Sequence, residues 1–285
     1  MKFLEDTNRI VTFIESNLDD DIWLDDIMQL TRLSKFHYSR IFKALTGITL
    51  SEYIRRRKLS RAALDLVETK KAIIDIAFAC GYESQAAFTR GFKAMYGFTP
   101  KAYRVNKTHF ANLDQVIFNE AILSLKKGED RIEPIFIERG KINIVGLQYR
   151  GDNSNREIPK LWSRLALRMA EIKNAANSNF SYGFETYGDD RKDSNVLTYV
   201  AGVEAGAEDP LPPGLVSVEI PANQYAAFPI AAIIEEVPKT IRRIYGELLF
   251  AWKIEPCGDY DFELFDETFI PNDAAARYYL CIPIK

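Results

Sequence analysis

SKFHYSRIFKALTG, residues 34–47, and SQAAFTRGFKAMYG, residues 84–97, stand fifty positions apart and follow one plan. Ser34, Arg40, Phe42, Lys43, Ala44 and Gly47 recur as Ser84, Arg90, Phe92, Lys93, Ala94 and Gly97, while Tyr38, Ser39 and Leu45 return conservatively as Phe88, Thr89 and Met95. Thr49/Thr99 and Tyr53/Tyr103 extend the match. Self-similarity at that period marks a duplicated supersecondary unit. Each copy opens on a serine suited to cap a helix and stops on a glycine suited to end one.

Outward from the repeat, each copy is preceded by a short helix and a tight turn. Ile10, Phe13, Ile14 and Leu18 predict a first helix that exits at the acidic run Asp19, Asp20 and Asp21; Trp23 and Leu24 lead into a short helix over 25–31. In the second copy, residues 75–79 form the short helix and Gly81 and Tyr82 turn the chain. On the helix after Ser34, Tyr38, Ile41, Phe42 and Leu45 form one inward stripe. Lys35, Phe36, Ser39, Arg40 and Lys43 are then expected to face outward. After Ser84, the inward residues are Phe88, Phe92 and Met95, and Gln85, Ala86, Thr89, Arg90 and Lys93 face outward.

That outer face suits a base-reading helix. Arginine pairs with guanine O6/N7, glutamine with adenine N6/N7, and alanine or aromatic carbons meet the thymine methyl. Helix N-termini such as that at Ser84, and lysines, hold phosphates and set register. A solvated face is the alternative for one copy, but two copies with the same Ser, Arg and Lys spacing favour DNA, with Arg40, Gln85 and Arg90 as the principal readers.

Charge agrees with this. The whole 285-residue chain has a net charge of −3, yet residues 1–107 carry 18 Lys+Arg against 13 Asp+Glu, and residues 34–107 carry 15 against 5. A basic segment in an otherwise acidic chain points to a local polyanion contact. Between the copies, residues 51–68 continue in helical pattern through Tyr53, Ile54, Leu59, Ala62, Ala63, Leu66 and Val67, decorated by Arg55, Arg56, Arg57, Lys58 and Arg61. That charge run reads as a solvated face more than as a reader. The helix itself is a stiff spacer, as two readers entering successive major grooves about 34 Å apart require. Two readers in one chain remove the usual need for a dimer.

The segment from Ser34 to Lys43, the segment IIDIAFACGYESQAAFTRGFK (73–93) and GFTPKAYR (97–104) closely resemble the AraC/XylS family of transcription regulators. The resemblance covers about residues 5–107. It implies sequence-specific binding to double-stranded promoter DNA and, usually, activation through contact with RNA polymerase; the DNA-binding part comes first, as in the Rob-type branch.

Residues 108–130 hold a helical pattern (Leu113, Val116, Ile117, Ala121, Ile122, Leu125) and are expected to form a helical linker. From residue 131 the pattern changes. Strands are expected at 135–138, 141–149, 182–187, 196–205, 215–220, 224–228, 260–265 and 277–283, with helices over 158–172 and 237–252. The expected fold is multidomain: an all-α double helix-turn-helix domain (1–107), then an α+β domain (131–285) of two pseudo-symmetric ββαββ halves. A cleft between such halves is a natural ligand site.

Aromatic and acidic residues that could line it are Tyr149, Trp162, Tyr182, Phe184, Glu185, Tyr187, Tyr225, Phe228, Trp252, Tyr260 and Glu263. Glu263 stands apart, a carboxylate in mid-strand among apolar neighbours, suited to attract a cation together with aromatic rings. This half resembles the GyrI-like effector-binding domain through IPKLW (158–162), LVSVEIPANQYAAF (215–228), DFELF (261–265) and Ile282-Pro283. The resemblance implies a drug- or metabolite-binding pocket, often for lipophilic cations, with Glu263 as the acidic residue. The stretch after Phe228 lacks a glycine common in that family.

The functional expectation is a transcription regulator, an activator, modulated by a small effector. The alternatives are a second domain that serves as scaffold or protein-interaction module, or a small-molecule hydrolase with Glu263 as general base. Because His37 and His109, the only histidines, lie outside the domain in sequence, the chain is expected not to be an enzyme. Three scattered cysteines, Cys80, Cys257 and Cys281, suggest neither a disulfide framework nor a zinc site, and no cofactor or metal is expected. Without a secretory start or a membrane-length apolar run, the chain is expected to be cytoplasmic and off the membrane.

Overall fold

The serine and glycine of each copy do the same work fifty residues apart. Ser34 caps α3 (Lys35–Thr46) by accepting from the His37 N–H, and Ser84 caps α6 (Gln85–Tyr96) by accepting from the Ala87 N–H at 3.2 Å. At the other ends Gly47 (φ 80°) and Gly97 (φ 78°) take the left-handed conformation and donate to the carbonyls of Lys43 and Lys93, both at 2.8 Å. Only glycine adopts that backbone without steric cost. Thr49 and Thr99 continue the parallel: each hydroxyl accepts from the N–H three residues on, starting α4 (Leu50–Glu68) and α7 (Pro100–Asn106). The helix α7 was not expected, although Thr99 and Tyr103 repeat the residues that begin α4.

The computed structural model describes residues 2–20, 22, 24–106, 132–172, 175, 180–187, 196–206, 210–233, 235–267, 269, 270, 273 and 276–285. The linker helix expected over 108–130, with His109, lies outside the described residues, as does Trp23. The remaining N-terminal helices are α1 (Lys2–Ser16), α2 (Leu24–Met28) and α5 (Ile73–Ala79). By contacts the chain divides into two compact units. One holds residues up to Arg32 and from Ile48 through α7; the other holds Leu33–Gly47, and therefore α3, with the described residues from 132 onward.

In the first unit, α4 is the central strut. Leu59, Ala62, Ala63 and Leu66 along one of its sides share a core with Ile76, Ala77, Phe88, Phe92, Tyr96 and Tyr103. The charge run on α4 is largely tied down within the unit. Arg57 donates to Glu15 of α1 (2.6 and 2.8 Å), Lys58 is buried and donates to the Asp20 carbonyl (2.6 Å), and Arg55 and Arg56 both engage Glu52.

The second unit is built on one antiparallel eight-stranded sheet. Its strands are β1 (Ile135–Arg139), β2 (Ile142–Gly151), β3 (Phe180–Tyr187), β4 (Leu197–Glu204), β5 (Val216–Ile220), β6 (Asn223–Ala231), β7 (Tyr260–Asp266) and β8 (Arg277–Ile284), in the order β1-β6-β8-β7-β3-β4-β2-β5. The two ββαββ halves are present, related as β7-β8-β6 to β3-β4-β2, but each half lends its first strand to the outer edge of the other. After β2 comes α8 (Glu157–Ala166). After β6 comes α9 (Val237–Arg243), continued by a π-helical turn (Ile244–Leu248) and a last turn (Leu249–Ala251). The long helix expected over 237–252 is thus interrupted.

Alternation along the strands separates two faces. One carries Tyr182, Phe184, Val200, Ile220, Tyr225, Tyr260, Phe262, Leu264 and Cys281 in a single cluster. Residues from β5 and β6, near opposite ends of the strand order, meet there, so the sheet curls around this face. The opposite face receives α8 through Leu161 and Leu165, packed with Val145, Leu147, Tyr199, Ala201 and Val203. No helix among the described residues is long and apolar enough to cross a membrane.

Candidate functional site

The two repeated helices differ in what they expose. On α6, Gln85, Ala86, Arg90 and Lys93 are exposed, Thr89 is half-buried, and Ser84 is exposed at the cap. On α3, the outward face expected from the pattern is mostly buried: Phe36, Ser39 and Arg40 are covered, Lys35 is half-buried, and Lys43 is exposed. The reason is that α3 packs on the sheet unit. His37 Nε2 lies 2.8 Å from the Cys257 carbonyl oxygen, and its ring stacks on Tyr245. The Ala44 Cβ comes so close to Gly246 in the π turn that a side chain there would sit 3.3 Å from it. Burial holds His37 neutral, pushing it down to about 3 against the pull of the Cys257 carbonyl. A histidine outside the second domain in sequence therefore lies within the second unit in space.

Arg40 is the centre of this contact. Its Nη1 donates to Glu185 at 2.5 Å, its Nε lies 3.5 Å from Asp261, and its guanidinium sits over the rings of Tyr245 (4.8 Å) and Phe36 (5.3 Å). Asp261 is fully buried and accepts from the Tyr245 hydroxyl at 2.5 Å. Burial raises its carboxyl against the opposing pull of Arg40.

Beside this cluster opens a cavity of about 1120 Å³, walled by α8, the start of α9, the π turn, α3 and one face of the sheet. Strand register explains its floor. Tyr199, Glu185 and Asp261 lie in one cross-strand row, and Ala201, Gly183, Glu263 and Leu280 in the next. Because Gly183 has no side chain, Tyr199 leans across it; a Cβ there would overlap both the Tyr199 hydroxyl and the Glu263 carboxylate. The Tyr199 hydroxyl donates to Glu263 Oε2 at 2.5 Å and accepts from Trp162 Nε1 at 3.1 Å. Trp162, Phe265, Phe269 and Tyr278 make an aromatic wall, with ring centroids 4.7–5.8 Å apart along their contacts.

Glu263 is half-buried. Loss of hydration raises its carboxyl to about 7, opposed by the Tyr199 hydrogen bond and reinforced by the negative charges of Glu185 and Asp261. Burial and the neighbouring carboxylate raise Tyr199 and Tyr278, which keeps them as proton donors. The arrangement offers an acid of adjustable charge in a room of aromatic rings.

Of the effector-site residues expected from sequence, Glu263 lines this cavity. Tyr182, Phe184, Tyr225 and Tyr260 belong to the apolar cluster on the other face; Tyr225 donates to the Pro221 carbonyl and meets the Tyr260 hydroxyl at 2.9 Å. Tyr149 accepts from the Asn153 N–H at 3.1 Å, and Phe228 is core. Trp252 is exposed just past the last helical turn. Tyr187 ends β3, and its side chain lies outside the described part. Glu185 and Trp162 do line the cavity, as do Tyr199, Tyr245, Phe265, Phe269 and Tyr278, which sequence reasoning missed.

Known proteins bear on both units. The family model described as a helix-turn-helix domain matches residues 27–106, and that described as an integron-associated effector binding protein matches residues 136–284. The Transposon Tn10 TetD protein of Escherichia coli is 44% identical over 98 residues, 34% of this chain and 71% of that protein. The HTH-type transcriptional activator AarP of Providencia stuartii is 40% identical over 106 residues, 37% of this chain and 78% of that protein. The solved structure of SAV2435 bound to tetraphenylphosphonium is 13% identical, covers 54% of this chain and 94% of that one, and gives a TM-score of 0.44. The two family matches define a helix-turn-helix transcription regulator joined to a domain of an effector-binding family. The chain belongs to the AraC-type helix-turn-helix transcription regulators and, through residues 136–284, to the integron-associated effector binding protein family.

Proposed function

We propose that this regulator reads promoter DNA through α6 and α3, senses a lipophilic cation in the cavity floored by Glu263, and activates transcription by contact with RNA polymerase. The observation that carries the sensing part is the Glu263 carboxyl, held among Trp162, Tyr199, Phe265 and Tyr278, where loss of hydration makes its charge costly until a cation supplies a partner. Binding of a cation draws the proton off Glu263. Among the described residues lining the cavity there is no histidine or cysteine, which favours binding over nucleophilic chemistry. On the DNA side, the exposed Gln85, Ala86, Arg90 and Lys93 support base and phosphate contact by α6. Activation rests on the resemblance to the AraC/XylS family.

The test is calorimetric titration of the full chain with tetraphenylphosphonium, whose own charge does not depend on pH. Saturable binding should weaken about fivefold between pH 7 and 6, approach tenfold per pH unit below that, and fall at least tenfold in Glu263→Gln at pH 8. Binding that ignores both changes, or no binding at any pH, would refute the cation reading. Turnover of the probe would replace it with the enzymatic one.

A further inference from the structure

We propose that Glu185, Asp261 and Tyr245 form a second cation subsite beside Glu263, which the chain fills with its own Arg40, and that an effector bearing a planar amidinium or guanidinium group takes this subsite by displacing Arg40. The inference rests on the cation-sensing reading above and adds a specificity determinant and a route from ligand to DNA.

Its geometry is that of an occupied site. The guanidinium lies against one carboxylate at 2.5 Å and a second at 3.5 Å, with the face of Tyr245 4.8 Å away. Such a fork, donating in a plane to oxygen acceptors and lying on a ring, is what delocalised nitrogen cations do and spherical ammonium ions do poorly. Asp261 adds an independent sign of an unfilled valence: the residue is fully buried, yet Oδ1 has no hydrogen-bond partner among the described residues. Glu185 and Asp261 face each other in register across β3 and β7, so removing the guanidinium without replacement leaves two adjacent carboxylates unpaired. A ligand that reaches Glu263 with one end is one row of the sheet, about 7 Å, from this pair.

Arg40 is also the repeat partner of Arg90. On α6 that position is exposed; on α3 it is 9% exposed and held by the acid pair. In the arrangement described, one reader is available to DNA and the other is engaged by its own sensor. A ligand that replaces the guanidinium returns Arg40 to the reading face.

The probes are 4-aminobenzamidine, a fluorescent amidinium, and tetraphenylphosphonium, which has no N–H to donate. In the full chain, Arg40→Ala should tighten 4-aminobenzamidine at least tenfold more than it tightens tetraphenylphosphonium. Equal tightening of both would show only the loss of a positive charge and would overturn the subsite. Glu185→Gln in the Arg40→Ala background should reverse the gain for 4-aminobenzamidine; no reversal would also overturn it. On DNA chosen by in vitro selection, 4-aminobenzamidine should lengthen the wild-type footprint by about one helical turn, roughly 10 base pairs, and Glu185→Gln should lengthen it without ligand. An unchanged footprint in both cases overturns the release of α3. If tetraphenylphosphonium binds through Glu263 while the amidinium arms fail, this inference falls and the cation-sensing reading stands; if tetraphenylphosphonium does not bind, both fall.

Discussion

Glu263→Gln should remove a pH-dependent weakness from the folded chain. Folded, the carboxyl titrates at about 7; unfolded, it titrates near its ordinary 4.5. The folded state therefore holds the proton more tightly, and its advantage is complete below 4.5 and lost as pH rises through 7. The gap sets a ceiling of about 3 kcal/mol at pH 8. Because the carboxylate opens onto a cavity that water can enter, the measured loss should be about 1–3 kcal/mol. The groups that face Glu263 are Tyr199, Tyr278, Glu185 and Asp261, and all remain in the variant, so the difference between the two proteins reports the Glu263 titration together with its charge coupling to Asp261 and Glu185. The assay is urea denaturation of both proteins from pH 4.5 to 8, followed by tryptophan fluorescence, with Trp162 against Phe265 as the local reporter. The variant should match the wild type near pH 4.5, exceed it progressively from about pH 5, and hold a nearly constant lead above pH 7. A stability difference that stays flat from pH 5 to 8, or that favours the wild type at high pH, would refute the argument that desolvation dominates at this carboxyl.

His37 should show the opposite slope. Its contribution is present above its ordinary 6.5 and lost as pH falls toward about 3, so wild type should weaken relative to His37→Gln between pH 6.5 and 4 in the same denaturation series. Tyr199→Phe removes the hydroxyl that both donates to Glu263 and accepts from Trp162; it should cost about 1–3 kcal/mol by denaturation and move the midpoint of tetraphenylphosphonium binding to higher pH. Ser84→Ala should destabilise the chain by about 1 kcal/mol through loss of the α6 cap, read as a lower urea midpoint. In DNA binding, Arg90→Ala should cost about 1–3 kcal/mol at one base position, while Lys93→Ala should weaken all sequences alike and lower the salt slope by about one; equal losses on selected and random DNA for Arg90→Ala would remove it from the base-reading set.

Local rules explain what was legible. A serine before a helix and a glycine after it act through backbone hydrogen bonds within one turn, so a repeat of those residues could be read directly as a repeat of helices. The same rule reached too short at Thr99, where a threonine cap with a buried Tyr103 marked α7 as plainly as Thr49 and Tyr53 marked α4. Strand order was not legible, because the exchange of first strands between halves depends on which edges meet, a matter of long-range pairing rather than local pattern.

The cavity divides along the same line. Glu263 stood out because a carboxylate in an apolar strand needs a reason, and period-two alternation then fixes its companions. Asp261, Glu263 and Phe265 share one face, while Tyr260, Phe262 and Leu264 share the other, so the choice of Glu263 already excluded Tyr260. Extending that parity through register would have passed over Tyr182 and Phe184 in favour of Gly183 and Glu185, and then reached Tyr199. Arg40 had no such path. Its spacing from Arg90 argues for an outward, base-facing role, and nothing within a helical turn of it signals two carboxylates 145 and 221 residues away. A side chain that satisfies the grammar of a reading helix and the chemistry of a ligand is ambiguous in sequence for a physical reason: guanidinium suits guanine edges and carboxylate pairs through the same planar fork. Under the inference proposed above, that shared chemistry is what would let one residue couple the two sites, since whichever partner holds the fork denies it to the other.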